Sequence, residues 1–312
     1  MTGQVREQSP AALIWRGYTE IFGCTLIWAG FAVVAKLALT GTPPEVLASW
    51  RFALAAMFLV PWLWATGSLP RIPGKYEWPE LLLLSSLGVI GHNLFLFFGL
   101  NWASAYECAL VTNTLIPIAI PVIASLAGVE TFDRSRIPGL VIGSAGVVLI
   151  FIGIPGGISG DSSRFWGVIL FLGSGSCWSI YTVLSRRAHS RWKPSDLAAW
   201  STWIGALVLL PLGLWKPLTQ GWPDPSVSLW GKLGYMSILN TVIAFFMWQN
   251  GVARIGPARS GVMVYLVPVF TLMLSALVLA ERPSALQLAG GGLAMGGVLW
   301  ANRRELLGGW IR

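Results

Sequence analysis

Long apolar runs follow one another along the whole chain, separated by short polar stretches. Each run is about 20 residues long, the length that an α-helix needs to cross the hydrocarbon core of a bilayer. The runs are too long, and too uniformly apolar, for the alternating strands of a membrane barrel. Ten membrane-spanning helices are therefore predicted, at residues 17–38, 45–66, 80–99, 104–127, 136–154, 164–186, 195–215, 228–250, 258–280 and 284–303.

Composition supports an all-α integral membrane protein. Only 11% of the 312 residues are charged and 55% are hydrophobic, whereas a soluble domain carries about 25% charged residues. A surface exposed to water cannot be covered with so few charges. Most of the surface is therefore predicted to face the lipid bilayer. Residues 1–16 are polar and of mixed charge, and no removable signal peptide is predicted. The connections are too short for a soluble domain, and the longest is predicted at 215–228.

Three classes of partner are not expected. The net charge of +8 comes from basic residues that lie beside the spans rather than in one long run, so no nucleic-acid partner is predicted. The three cysteines show neither the spacing of a metal site nor an even-numbered disulfide framework. They are interpreted as small buried apolar residues, and no metal or cofactor is predicted.

Basic residues near the span ends predict the orientation. If the amino terminus is cytoplasmic, 15 Lys and Arg residues fall on the cytoplasmic side and five fall outside. This asymmetry agrees with the positive-inside tendency of membrane proteins. A multi-pass protein with both termini cytoplasmic is expected.

The two halves of the chain are related in sequence. Residues 24–61 align without gaps on 174–211, with ten of 38 positions identical, and residues 105–151 align on 256–302, with eight of 47 identical. Matched Trp, Pro and Glu residues carry the signal, because Leu and Val recur by chance in apolar sequence. Two repeats are predicted, 1–154 and 155–312. Since each has five spans, the second must be inverted, an arrangement that transporters use for alternating access to a central cavity.

These features resemble a known family. Each half has a Pro in its fourth span followed by a Glu and then a Gly-rich span, in the first half GLVIGSAGVVLIF and in the second LAGGGLAMGGVLW. With a Trp near the start of each half, the pattern resembles the EamA type of the drug/metabolite transporter superfamily. Within it, the length and the Trp-rich spans resemble the bacterial aromatic amino-acid exporters of the YddG kind. The resemblance implies export of amino acids or small metabolites across the bacterial inner membrane.

Polar side chains inside spans are costly in lipid and should face a cavity or a partner. His92 and Asn93 in the third span and Asn113 and Thr114 in the fourth are interpreted in this way, together with Asn240 in the eighth span. His92 is a candidate for substrate contact or proton transfer, with a helix–helix hydrogen bond as the alternative.

Prolines and deep aromatic residues complete the candidate site. Pro117 and Pro268 remove a helix hydrogen bond and are candidates for kinks or gates. An aromatic wall that stacks on an apolar ring or holds an ammonium group is expected from Trp28, Trp178, Tyr181, Trp203 and Tyr265. Packing alone is the alternative for each.

Arg51 and two glutamates have several interpretations. Arg51, near the outer end of the second span, is expected to pair with Glu107, to attract a substrate carboxylate or to extend towards the headgroups. Glu130 and Glu281 lie at span ends and are expected to shape turns. The Gly-rich spans are expected to pack closely rather than to bind substrate.

Function remains open among three hypotheses at this point. An exporter of neutral, aromatic amino acids leads. A multidrug exporter of quaternary cations would use the same aromatic cavity, and a membrane-embedded enzyme lacks a recognisable catalytic cluster. No Asp or Glu lies in the middle of a span, so facilitated transport or a proton carried by His92 or Glu107 is expected. The oligomeric state is left open, and a monomer is compatible with the sequence.

Overall fold

Helices make up the regular secondary structure of the described residues. The computed structural model describes residues 10–128, 133–154, 162–188, 190–255, 263–264, 266–301 and 303. Within these ranges one helical segment occupies each predicted span. The segments are α1 Pro10–Leu39, α2 Pro44–Ala65, α3 Trp78–Trp102, α4 Ala105–Leu126, α5 Ile137–Ile152, α6 Ser162–Ala188, α7 Pro194–Gln220, α8 Val227–Ile255, α9 Leu266–Leu279 and α10 Ala285–Ala301.

Seven of the described helices, α1 to α7, are long and apolar enough to cross a membrane. The described parts of α9 and α10 are shorter, with 14 and 17 residues. Helix α8 is continuous over the length of a span but contains a wider π-helical section in its middle. The all-helical membrane architecture predicted from the sequence is confirmed.

One predicted loop is wrong in part. The expected connection 215–228 begins as helix, because α7 continues through Pro217 to Gln220. The helix is followed directly by Gly221, whose φ of 97° is accessible to glycine and strained for other residues. Within the described part of the chain, the connection between α2 and α3, residues 66–77, is longer than the remaining turn 221–226.

Corresponding helices of the two halves pack antiparallel. In the α2–α7 pair, the Trp50 indole donates to the Gly213 carbonyl at 3.2 Å, and the Trp203 indole donates to the Ala56 carbonyl at 3.3 Å. Residue numbers therefore rise along α2 as they fall along α7. Corresponding helices of a parallel repeat would point the same way, so this pairing is the arrangement of an inverted repeat.

Contacts between the halves are also reciprocal. Helix α1 packs on α8 and α9 of the second half, and α6 packs on α3 and α4 of the first half. Exchanging the halves converts one set of contacts into the other. The two repeats are thus interleaved across an internal two-fold relation rather than placed side by side.

The α5–α10 pair rests on glycines at the points of closest approach. A Cβ atom added at Gly139 would lie 2.4 Å from the Ala301 nitrogen, and one added at Gly146 would lie 2.4 Å from the Ala294 nitrogen. No side chain fits at either place, because the obstacle is backbone. The Gly-rich sequences therefore allow close helix packing, as expected from their spacing.

Candidate functional site

A cavity of about 910 Å³ lies between the two halves. Ligand sites of proteins commonly have volumes of about 300–1,000 Å³. Its lining residues come from α1 to α4 and from α6 to α9, and none of those found comes from the described parts of α5 or α10. The walls extend from the middle of the bundle to Leu63, Ser195 and Asn250, near the helix ends on the side where α1 begins. We call this side the N-terminal face.

Two π-helical sections flank the cavity. In α3 the section covers Ser86–Gly91, and in α8 it covers Tyr235–Ile243. They lie in corresponding helices of the two repeats. A π-helix is wider than an α-helix and occurs often at functional sites. Sequence reasoning missed both sections, since nothing in the apolar pattern distinguishes the two helix types.

His92 begins the α-helical part of α3 directly after the π-helical section and lines the cavity. Its Nδ1 atom lies 3.1 Å from the Ser174 carbonyl oxygen and 2.8 Å from the Ser174 hydroxyl oxygen. The Ser174 hydroxyl also donates to the His92 carbonyl at 3.0 Å. His92 thus joins α3 to α6, as the alternative of a helix–helix hydrogen bond expected, and it also lies at the cavity wall.

Aromatic rings form much of the remaining wall. Trp178 lies between His92 and Tyr181, with ring centroids 5.0 Å and 5.3 Å away. On another side, Trp28 packs against Trp248 at 5.4 Å. All five residues line the cavity. A flat apolar group can pack on these rings, and rings of this kind also attract cations weakly.

Prolines of α4 and α9 lie beside the cavity at corresponding positions. A proline has no N–H with which to bond the carbonyl four residues earlier. Pro117 therefore leaves the Asn113 carbonyl without its helical donor, and Pro268 does the same for Val264. Both Asn113 and Val264 line the cavity. Helix α4 continues through Pro117 as a helix.

Other predicted residues divide between the cavity and the surrounding packing. Asn93, Asn113 and Asn240 line the cavity, whereas Thr114 and Trp203 are not among its lining residues. Thr114 is buried within the bundle, and Trp203 faces α2 through its hydrogen bond. The expected cavity positions of these two are therefore not supported by the structure. Tyr265 lies outside the described residues.

Arg51 occupies a place that the sequence left open. Its side chain is buried and lines the cavity. It donates to the side-chain Oδ1 atom of Asn93 at 2.5 Å and to that of Asn240 at 3.3 Å, so one cation joins asparagines from both repeats. The expected extension to headgroups is wrong because the guanidinium is buried. The expected pairing with Glu107 is also wrong, because Glu107 binds Arg164.

Polar side chains close the bundle at the face opposite the N-terminal face. The Arg164 Nη2 atom lies 3.0 Å from Glu107 and donates to the Tyr106 hydroxyl at 2.7 Å. The Gln287 amide donates to Glu107 at 2.7 Å. Helices α4, α6 and α10 are thereby joined across the repeats. Together with Lys36 and Glu281, which lie at the same face, we call these side chains the closing cluster: Lys36, Tyr106, Glu107, Arg164, Glu281 and Gln287.

Backbone groups are also bound in the closing cluster. Glu281 accepts from the Ala105 N–H at 3.1 Å, while Lys36 donates to the carbonyls of Leu100 and Ala103 at 2.5 Å each. Burial raises the pKa of Glu281, whereas the backbone donors and Lys36 oppose that rise. Glu281 thus holds the start of α4 as well as lying in a turn. Glu130, its counterpart, lies outside the described residues.

A model of the EamA-like transporter family matches the chain twice, over residues 15–152 and 165–303. The chain belongs to the EamA-like transporter family. This EamA protein is therefore a multi-pass membrane transporter and not an enzyme. The two matched segments cover most of the chain.

Proteins similar to this chain match it over nearly its whole length. An uncharacterized transporter of Archaeoglobus fulgidus is 29% identical over 90% of this chain and 95% of its own. A protein of Streptantibioticus cattleyicolor named "probable terminal-alkyne amino-acid exporter" is 27% identical over 89% of this chain and 91% of its own. A solved structure at 25% identity superposes with a TM-score of 0.62, covering 95% of this chain and 99% of that one.

Proposed function

We propose that this EamA transporter exports amino acids with neutral, aromatic side chains, and related small metabolites, by alternating access. The observation that carries the proposal is the cavity between the repeats, whose walls combine Trp28, Trp178 and Tyr181 with the polar groups of His92 and Asn240. An apolar ring would pack on the aromatic side chains while the polar groups orient the amino-acid backbone. The relative named as an amino-acid exporter supports the same substrate class.

Alternating access requires two gates, and the cavity is open towards one face. The closing cluster lies at the other face and joins helices of both repeats. For the opposite state, the closing cluster would separate while the N-terminal face closes. The interleaved inverted repeat supplies two equivalent packings for this exchange. The repeats are proposed to meet between 154 and 155.

The proposed orientation places both termini in the cytoplasm of a bacterial inner membrane. It is supported by the sequence count, in which 15 Lys and Arg residues fall on the predicted cytoplasmic side of the spans and five fall on the other side. In this orientation the structure is open to the cytoplasm, the state in which an exporter loads its substrate. Amino acids are then released on the other side after the closing cluster opens.

A substrate panel in proteoliposomes tests the proposal. Purified protein is expected to exchange labelled phenylalanine, with competition by tyrosine and tryptophan and weaker competition by acidic amino acids. The same assay with and without an imposed pH gradient separates facilitated transport from proton coupling. Failure of every amino acid to move or to compete would refute the proposed substrate class while leaving the transporter fold intact.

A further inference from the structure

The wall of the cavity contains a buried cation held by neutral groups. Arg51 is 7% exposed and lies in α2, where it bonds to residues of the π-helical section in α8 and to Asn93, just after the π-helical section in α3. Its Nε atom donates to the Met236 carbonyl at 3.2 Å, and Nη2 donates to the Thr241 hydroxyl at 3.1 Å. With Asn93 and Asn240, four acceptors are found among the described residues, and all four are uncharged.

No Asp or Glu among the described residues forms an ion pair with Arg51. Other basic residues of the bundle do have such partners: Arg164 pairs with Glu107 at 3.0 Å, and Lys216 pairs with Glu45 at 2.5 Å. A buried charge is costly unless an opposite charge compensates it. The rings of Phe31 and Phe52, 4.4 Å and 4.9 Å from the guanidinium carbon, supply only part of that compensation.

The guanidinium is also fixed in position without being saturated. It has five N–H donors, and its four hydrogen bonds leave one N–H without an acceptor among the described residues. A planar guanidinium matches the geometry of a carboxylate better than that of any neutral ligand. The site thus has a held cation, an open cavity beside it, and no counter-charge from the part of the chain that the structure describes.

We infer that Arg51 binds the carboxylate of the transported molecule, while the rings of Trp28 and Trp178 take its apolar part. This assignment deepens the proposed function and rests on it, since an amino acid supplies both groups. It also gives the cavity a selectivity: a quaternary cation would meet a like charge that nothing in the described wall neutralises. The substrate class that follows is an apolar carboxylate, with or without an ammonium group.

Three probes test the assignment on the full-length protein: phenylalanine, phenylalaninamide, which lacks the carboxylate, and 3-phenylpropionate, which lacks the ammonium. Each is measured by competition with labelled phenylalanine in proteoliposomes and by thermal stabilisation in detergent, which needs no transport. In the unmodified protein the amide is expected to be at least about tenfold weaker than phenylalanine, as for loss of a charge-assisted hydrogen bond.

Variants separate the charge of Arg51 from its structural bonds. Arg51→Gln is expected to lose the preference for phenylalanine over its amide, and Arg51→Lys to keep it at weaker overall binding. Asn93→Asp places a carboxylate at the 2.5 Å contact with the guanidinium. This internal counter-ion should abolish the preference while leaving the melting temperature unchanged or higher. Asn250→Asp makes the same change at the exposed mouth of the cavity and should retain the preference.

The outcomes distinguish this inference from the proposed function. If phenylalanine is transported, but its amide competes equally and Asn93→Asp changes nothing, the role of Arg51 is refuted and amino-acid export stands. If no amino acid is bound, but 3-phenylpropionate stabilises the unmodified protein and not the Asn93→Asp protein, the role of Arg51 stands and amino-acid export fails. If no carboxylate stabilises the protein, the assignment is refuted. Should Arg51→Gln not fold, Asn93→Asp alone decides.

Discussion

Neutralising Glu107 should open the face that the closing cluster holds shut. The Glu107 side chain is completely buried and binds Arg164, Gln287 and the Ser104 N–H. In Glu107→Gln the side chain keeps its size and loses its charge. Arg164 then loses its ion pair with Glu107 in the closed arrangement, whereas in the open arrangement water would solvate the guanidinium. The substitution therefore destabilises one state more than the other.

The size of the shift follows from the burial of the pair. Breaking a fully buried ion pair costs about 3–5 kcal/mol. Arg164 retains 21% exposure of its side chain, so a discounted cost of about 2 kcal/mol is expected. Since 1.4 kcal/mol corresponds to a tenfold change, the equilibrium should shift about 30-fold towards the state open at the closing cluster.

Cys108 offers a native reporter for this shift. It lies next to Glu107, lines the inner part of the cavity and is 4% exposed. With Cys24 and Cys177 replaced by alanine, a membrane-impermeant thiol reagent is added only on the side of the closing cluster. The labelling rate of Cys108 is expected to rise about 30-fold in Glu107→Gln, following the population of the open state.

A matched control uses the other ion pair at the same face. Glu45 pairs with Lys216, whose side chain is 36% exposed, and the pair joins α2 to α7 outside the closing cluster. Glu45→Gln is expected to change Cys108 labelling less than about fivefold, since exposed pairs contribute up to about 1 kcal/mol. Equal labelling in Glu107→Gln and the unmodified protein, with both folded, would contradict the assignment of the closing cluster as a gate.

Three further outcomes are expected. Gly146→Ala should lower the melting temperature, since the new methyl group meets backbone and overpacking costs about 1–3 kcal/mol. Gly296→Ala on the same helix pair faces open space and should be tolerated. Equal melting curves of the two variants would contradict this. Trp178→Ala should raise the KM for phenylalanine about tenfold in proteoliposomes. Trp64→Ala should leave the KM unchanged, because the Trp64 side chain is 73% exposed and lies away from the cavity lining. Equal KM values in both variants would refute the stacking role of Trp178. The hydrogen bond from Arg71 lowers the pKa of Glu77 to about 2, so the stabilisation that the Glu77 carboxylate contributes should be complete above pH 4.5 and be lost as pH falls towards 2. Glu77→Gln should remove that part of the dependence of the melting temperature on acid pH. An unchanged dependence in this variant would contradict the prediction.

The fold was predictable from the sequence because lipid imposes a strict rule on length and polarity. Apolar runs of about 20 residues locate helices regardless of their neighbours. Repeats with an odd number of spans must then be inverted, and the antiparallel contact between α2 and α7 agrees with this. The end of α7 was less predictable, since Pro217 and Gly221 signal a turn over a range of several residues rather than at one position.

The site was only partly predictable. Polar and aromatic residues in spans point to a cavity, and His92, Asn93, Asn240 and Trp178 do line one. The direction in which a side chain points depends on helix rotation, which misplaced Thr114. The partner of Arg51 could not be deduced, because it depends on π-helical sections that shift the register of α3 and α8. Long-range pairs such as Glu107 with Arg164 are set by three-dimensional proximity alone.

The reciprocal packing of α1 with α8 and of α6 with α3 has a consequence for chain connectivity. Most of the helix contacts that hold the bundle together run between the halves, so neither half forms a complete set of buried surfaces alone. Two separately translated halves would have to insert in opposite directions before they could assemble. A covalent link removes the need for two separate chains to adopt opposite membrane topologies, and requires only a connecting loop of sufficient length. It also allows each half to diverge separately: Arg51 has no counterpart arginine at position 201.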